Sequence, residues 1–349
     1  MTGLLFHGPE VFDSGWAARL LRVFPGARCM LAGTMSRTAL FDSGLKGVET
    51  PGTMPSECVK ALAAACSSVL IATKGKNPGA GLVFGRLVAG RAAAGVPVVQ
   101  AECSGPVYAA MAGACPRGIS RALDKLGFSR ACAPDAKIEL WNEGGLLCRR
   151  MTTADKGDFV LVNGIVTGRA LGGEIVLACK GRCLKEIRGV RVKPHGLEKL
   201  ERLGGVDLAL AKLASAPRLR RSRVSARKVK CAGRDVVFID HAGMHVYALA
   251  GLAAGAVTVG DDTTAVAGDI LRRFGVPVIG IVDGDGDGLH KGGFARGSVV
   301  LTVKADDKAG LEVLAKVFRG KKSSQALFNE IKHDVRCLLA GRVIACAEY

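Results

Sequence analysis

The residues with the most chemical promise are aspartates, and their spacing follows that of apolar runs. Val236-Val237-Phe238-Ile239 leads into Asp240, and Ala256-Val257-Thr258-Val259 leads into Gly260-Asp261-Asp262-Thr263-Thr264. Pro277-Val278-Ile279-Gly280-Ile281-Val282 leads into Asp283-Gly284-Asp285-Gly286-Asp287-Gly288. Alternate carboxylates on a glycine-flexible turn offer oxygen ligands only. That set suits Mg²⁺ or Mn²⁺ completed by waters or substrate phosphates. Asp283, Asp285 and Asp287 are the expected metal ligands, and the turn Asp261, Asp262, Thr263 and Thr264 is expected to face the substrate. An EF-hand is excluded, because the run follows a strand and its twelfth position is Phe294 where glutamate is required. Like charges this close repel unless a cation, or Lys291 and Arg296, offsets them. The bland alternative is a solvated Asp-Gly turn. His241 and His245 lie four apart and could join Asp240 or Asp262 at a transition metal, though the glutamate of the H-E-x-x-H pattern is missing.

The apolar runs read as strands alternating with helices, so the acidic turns fall at carboxyl-terminal strand ends, where open parallel sheets bind ligands. The same alternation fills residues 1–130. Strands are expected at 4–6, 28–32, 68–72 and 96–101, with helices at 16–24 (capped by Ser14), 56–65 and 82–93. Three strand-end loops there carry polar residues: 7–10, 33–38 and the glycine-rich 73–81. Each offers backbone N–H groups to an anion, with Gly33, Thr34, Lys74 and Lys76 as the phosphate or substrate contacts and His7 in the same cleft. None is a Walker loop or a G-x-G-x-x-G fingerprint, and ordinary turn chemistry explains each one alone.

Residues 131–234 read as a small β unit with an Asn163-Gly164 hairpin turn, a helical stretch at 198–213 and a basic linker. Net charge is +18, and the linker concentrates it in Arg218, Arg220, Arg221, Arg223, Arg227, Lys228 and Lys230. Such a stripe can track phosphates, which makes nucleic acid or another phosphate-rich polyanion the expected partner. No aromatic residue interleaves with it, against a stacking platform for single strands. The 12 cysteines are scattered with no second close pair beside Cys179 and Cys183, so they read as reduced core residues rather than a zinc site. With no bilayer-length apolar run and no signal-peptide pattern at Met1-Thr2-Gly3-Leu4-Leu5, a cytoplasmic location without membrane association is expected.

Two resemblances add to this reading. Asp240, the Gly260-Asp261-Asp262-Thr263-Thr264 turn and Asp283-Gly284-Asp285 resemble, in order and spacing, the Toprim domain of primases, topoisomerases and related nucleases. That likeness implies Asp283 and Asp285 as Mg²⁺ ligands and Asp240 as the catalytic carboxylate, with Asp240 replacing the family's usual glutamate. The chain also resembles an uncharacterised archaeal family best known from methanogens, through His7-Gly8-Pro9-Glu10, Leu31-Ala32-Gly33-Thr34-Met35, residues 159–164, residues 259–264 and residues 279–285. The expected fold is α/β: an N-terminal Rossmann-like parallel sheet (1–130), a small middle β unit (131–234) and a C-terminal Toprim-like α/β domain (235–349). The expected function is Mg²⁺-dependent phosphoryl transfer or nucleic-acid binding. The alternatives are a small-molecule or nucleotide-binding enzyme, and a non-catalytic assembly factor with a decayed site.

Overall fold

The computed structural model describes residues 1–135, 139–151, 154–216, 225–229, 233–240, 246–284 and 293–349. The first stretch contains β1 (Thr2–His7), α1 (Glu10–Asp13), α2 (Trp16–Val23), β2 (Arg28–Ala32), α3 (Thr34–Ser43), β3 (Val48–Glu49), α4 (Pro55–Ala63), β4 (Ser68–Thr73), α5 (Pro78–Ala92), β5 (Val98–Glu102), β6 (Val107–Ala112), α6 (Arg117–Lys125) and β7 (Ser129–Arg130). The middle holds β8 (Leu140–Glu143), β9 (Leu146–Met151), β10 (Phe159–Val162), β11 (Ile165–Ala170), β12 (Ile175–Lys180), β13 (Cys183–Arg188), β14 (Val190–Val192), α7 (Pro194–Arg202) and β15 (Leu213–Ala216). The last stretch holds β16 (Asp235–Asp240), α8 (Val246–Ala250), β17 (Ala253–Val259), α9 (Asp261–Leu271), β18 (Val278–Val282), β19 (Val299–Val303), α10 (Asp306–Lys316), β20 (Ser323–Ser324), α11 (Phe328–Leu339) and β21 (Val343–Glu348). The protein is a mixed α/β chain, with four sheets among the described residues.

Two compact units emerge. One comprises Met1–Ser36 with Lys46–Ser222, the other Arg37–Leu45 with Arg223–Tyr349. In the first, a seven-stranded sheet runs β3-β2-β1-β4-β5-β6-β7. Strands β1 to β5 are parallel, and β6 turns back antiparallel on β5. Strand order reverses between β1 and β4, where His7 pairs in register with Thr73. Leu5, Val69, Ile71 and Val98 from the sheet pack with Val59 and Leu62 of α4 and with Val88 of α5. The same unit holds two four-stranded sheets, β14-β11-β10-β15 and β13-β12-β9-β8. They share a core of Met151, Val160, Val162, Ile175 and Leu177, joined by Leu200 of α7. Their β10–β11 hairpin turns on Asn163 and Gly164, both at positive φ (51° and 84°), as an Asn-Gly turn requires.

The second unit is built on a six-stranded sheet, β20-β16-β17-β18-β19-β21. Strands β16 to β19 are parallel and follow chain order, with β20 and β21 antiparallel at the edges. Val257, Val259, Ile279, Ile281 and Leu301 meet Val313 of α10 and Ile331 and Val335 of α11. Residues 37–45, most of α3, belong here. The Asp42 side chain is fully buried and forms a paired contact with Arg273, with Nε donating to Oδ1 at 3.0 Å and Nη2 to Oδ2 at 2.9 Å. Asp269 Oδ2 accepts from Nη1 of the same guanidinium at 3.0 Å. Burial alone would lower the Arg273 pKa, but the hydrogen bond to Asp42 and the charges of Asp269 and Asp42 raise it.

Several local expectations need correction. Ser14 does not cap α2: its hydroxyl donates to the Glu10 carbonyl at 2.6 Å, and Gly15 in the left-handed region takes the cap position. The 33–38 loop is mostly the start of α3. The glycine-rich loop is shorter than its composition suggests. Asn77 accepts from the Ala80 N–H and Pro78 takes the first helical position, so α5 starts four residues before Leu82. The helical stretch expected at 198–213 is α7, Pro194–Arg202.

Candidate functional site

The carboxylates that converge stand at the ends of three successive parallel strands. Asp261 follows β17, Asp283 follows β18 and Asp306 follows β19, and one oxygen from each lies within 4.8 Å of the other two. Asp261 is buried at 4% exposure, Asp306 is half-buried and Asp283 is exposed. Close packing brings them together. Gly260, at φ 94°, swings the chain from β17 straight into α9, so the expected polar turn is the first turn of a helix. Thr264 is fully buried and shares a 2.8 Å hydrogen bond with the Thr258 hydroxyl, which pins that turn to its strand. Thr263 is also buried. Gly280 lets α9 lie against β18, since a Cβ there would sit 2.5 Å from Thr264 Cγ2. Gly310 does the same for α10, where a Cβ would sit 2.6 Å from Val259 Cγ2. Asp261 and Asp306 are each the first residue of a helix, where the backbone dipole favours an anion. One Asp306 oxygen also accepts from the Asp307 N–H at 2.8 Å.

The donor set is all oxygen. Ligands on Mg²⁺ at about 2.1 Å stand about 3 Å apart when adjacent and about 4.2 Å apart when opposite. One oxygen of each carboxylate lies within 4.8 Å of the other two, so small side-chain adjustments would bring the set to the spacing of Mg²⁺, Mn²⁺ or the larger Ca²⁺. Of the expected metal ligands, Asp283 is in the cluster, while Asp285 and Asp287 lie outside the described residues. Asp240 ends β16 at an exposed position on the same sheet edge, and the set within 4.8 Å does not include it. Asp262 is half-buried beside Asp261. Sequence reasoning missed Asp306, because the apolar spacing starts its helix one residue later, at Asp307. Its signal was present in Val299-Val300-Leu301-Thr302-Val303, another apolar run followed closely by a carboxylate.

In the first unit, the ends of β1, β2 and β4 bring together His7, Gly8, Gly33 and Ser36 beside the 73–81 loop. Gly8 N–H donates to Ser36 Oγ at 2.9 Å. His7 Nδ1 lies 3.1 Å from the Ala32 carbonyl, so that nitrogen carries the proton, and the ring stacks on Phe84 with centroids 4.5 Å apart. Burial lowers the His7 pKa to about 4, outweighing the opposing bond to Ala32. Gly33, at φ 100°, is exposed above the ring, and a Cβ would stand 3.5 Å from it. Thr34 opens α3 and is half-buried, as is Lys74. Lys76 is ion-paired with the buried Asp158 and with Asp155 (3.3 Å), so its charge is committed within the fold. Of the basic stripe, Arg227 and Lys228 are described, and both are exposed. The Arg227 N–H donates to Asp42 at 2.9 Å and its guanidinium lies 5.9 Å from the Phe41 ring centre. Arg218, Arg220, Arg221, Arg223 and Lys230 lie outside the described residues, as do His241, His245 and Lys291.

Residues 4–321 match the family described as "Uncharacterized protein conserved in archaea (DUF2117)". The chain belongs to this family. It is 33% identical over 353 residues, 95% of each chain, to "Uncharacterized protein MJ0065" of Methanocaldococcus jannaschii. The archaeal resemblance is thereby shown, while the match carries no Toprim assignment. A solved structure, "GsuK channel bound to NAD", is similar at 13% identity and a TM-score of 0.21, covering 97% of this chain and 65% of that one. So low a score supports no inference about fold or ligand. Among the described residues, no helix is long and apolar enough to cross a membrane.

Proposed function

We propose that the family member described here binds a divalent cation, Mg²⁺ or Mn²⁺, through Asp261, Asp283 and Asp306, and uses it to hold a phosphate-bearing substrate for phosphoryl transfer or nucleic-acid binding. The observation that carries this reading is the convergence of three carboxylates from three neighbouring strand ends. A cation there would bridge phosphate oxygens and offset developing charge. The excess of Lys and Arg supports a polyanionic partner. The Toprim-like version of this reading requires Asp240 and Asp285 to complete the site. The version proposed here does without Asp240 and adds Asp306. Calorimetric titration with Mg²⁺, Mn²⁺ and Ca²⁺, on wild type and on Asp261→Asn/Asp306→Asn, tests the cation. Filter binding of RNA and DNA with Mg²⁺ or EDTA, across a salt series, tests the partner. Saturable heat lost in the double variant, with polynucleotide retention that needs the metal, is the expected result. Equal heats in both proteins would remove the cation from this site.

A second reading has its own observation. The β3-β2-β1-β4-β5 order reverses between β1 and β4, and in doubly wound sheets that crevice takes nucleotides or related small molecules. A rise in melting temperature with a nucleotide, abolished by Gly33→Val, would favour it.

A further inference from the structure

The glycine-rich loop after β4 has the composition of a phosphate cradle, yet its donors already have an acceptor. Glu102, the last residue of β5, is fully buried. Its Oε2 accepts from the Thr73 hydroxyl at 2.6 Å, and its Oε1 accepts from the backbone N–H groups of Gly75 and Ser104, both at 2.8 Å. Gln100, also fully buried, donates to the Thr73 oxygen behind it. Among the described residues no Lys or Arg pairs with this carboxylate. It is held by hydroxyl and amide dipoles alone, as a bound oxyanion would be. The loop's glycines are shaped to it. A Cβ on Gly81 would fall 1.8 Å from Glu102 Oε2, and one on Gly75 would fall 3.1 Å from the Gly81 nitrogen.

We infer that Thr73, Gly75 and Ser104 form an oxyanion nest, closed by the loop between β4 and α5, whose ligand is the chain's own Glu102 carboxylate. While Glu102 is seated, the loop takes no external phosphate or carboxylate, and its role is to fix the wall that carries Lys74. A ligand at this end of the sheet is then contacted from β1 and β2, through Gly8, Gly33 and Ser36. Emptying the nest makes it a site for a small oxyanion. This inference stands apart from the metal reading of the other unit.

The test is a double-mutant cycle with a chemical probe. Gly81→Ala alone drives a methyl into the carboxylate and should lower the melting temperature by about 5 °C or more. In a Glu102→Ala background the same change meets open space and should cost nothing or stabilise. Formate, against chloride at matched ionic strength, should raise the melting temperature of Glu102→Ala saturably and leave wild type unmoved. Equal costs of Gly81→Ala in the two backgrounds, or formate responses that do not differ, would overturn the inference. If Glu102→Ala does not fold, amide exchange in wild type decides. The Gly75 and Ser104 amides should be protected together, and exchange of both at unfolded-chain rates would refute the nest.

Discussion

Substituting Asp306 by Asn separates a cation site from a mere cluster of acids, because the two predict opposite signs. Asparagine keeps the oxygen that accepts from the Asp307 N–H and removes only the charge. At a separation of 4.8 Å or less and an effective dielectric of about 20, two carboxylates repel by about 3 kcal/mol or more. The helix start beneath each of Asp261 and Asp306 returns about 0.3–1 kcal/mol. Half-exposure of Asp306 screens the remainder, leaving about 1–2 kcal/mol of net strain without a cation. In EDTA the Asp306→Asn variant should therefore melt about 2–8 °C above wild type. A cation at one hundred times its dissociation constant stabilises wild type by about 2.7 kcal/mol, or about 5–10 °C. With saturating Mg²⁺ or Mn²⁺ the order should invert, because a neutral amide at this position weakens the cation's hold. Differential scanning fluorimetry in EDTA, Mg²⁺ and Ca²⁺ at constant ionic strength reads this directly. Parallel shifts of both proteins under every condition would refute the cation. A variant less stable than wild type in EDTA would refute the electrostatic argument itself, and would show that the helix starts neutralise the aspartates unaided.

Other outcomes follow from the same contacts. Asp42→Ala leaves Arg273 buried with Asp269 as its remaining carboxylate, and should cost about 3 kcal/mol in urea denaturation, whereas Asp42→Leu with Arg273→Met should cost far less. Thr264→Ala strands the buried Thr258 hydroxyl and should cost about 1–2 kcal/mol by the same measurement. His7 has a folded pKa of about 4 against 6.5 unfolded, so its neutral form stabilises fully above 6.5 and stability falls as pH drops from 6.5 towards 4. Melting curves across that window should lose this component in His7→Phe, and the imidazole resonances should titrate near pH 4.

The strands that position the site were legible because buried parallel strands read as unbroken apolar runs, and 256–259 and 277–282 fall on β17 and β18. The Asn163-Gly164 hairpin was legible because few other dipeptides accept positive φ twice in succession. Helix starts were the weak point. Residues 33–38, 78–81 and 261–264 are rich in Gly, Thr, Pro and Asp, which serve turns and first helical turns alike. Reading them as loops hid the burial of Thr263 and Thr264 and made Lys76 look available. Its partner Asp158 is 82 residues away, a pairing that no local pattern announces.

The same ambiguity explains why the acidic edge was only half seen. Spacing along the chain favoured Asp283, Asp285 and Asp287, which share one turn. Folding also gathers residues on adjacent strands, about 4.8 Å apart across a sheet, and so brings Asp261 and Asp306 to Asp283. What selects them is the register of β17, β18 and β19 together with two glycines: Gly280 admits α9 to the sheet and Gly310 admits α10. On this argument Gly310→Ala, one helical turn beyond Asp306 in α10 and itself no ligand, should loosen the cluster by forcing α10 away from Val259. It should weaken Mg²⁺ binding while leaving the charge of all three aspartates intact. A Gly310→Ala protein that is folded and binds the cation as tightly as wild type would show that helix approach does not set the geometry of the site.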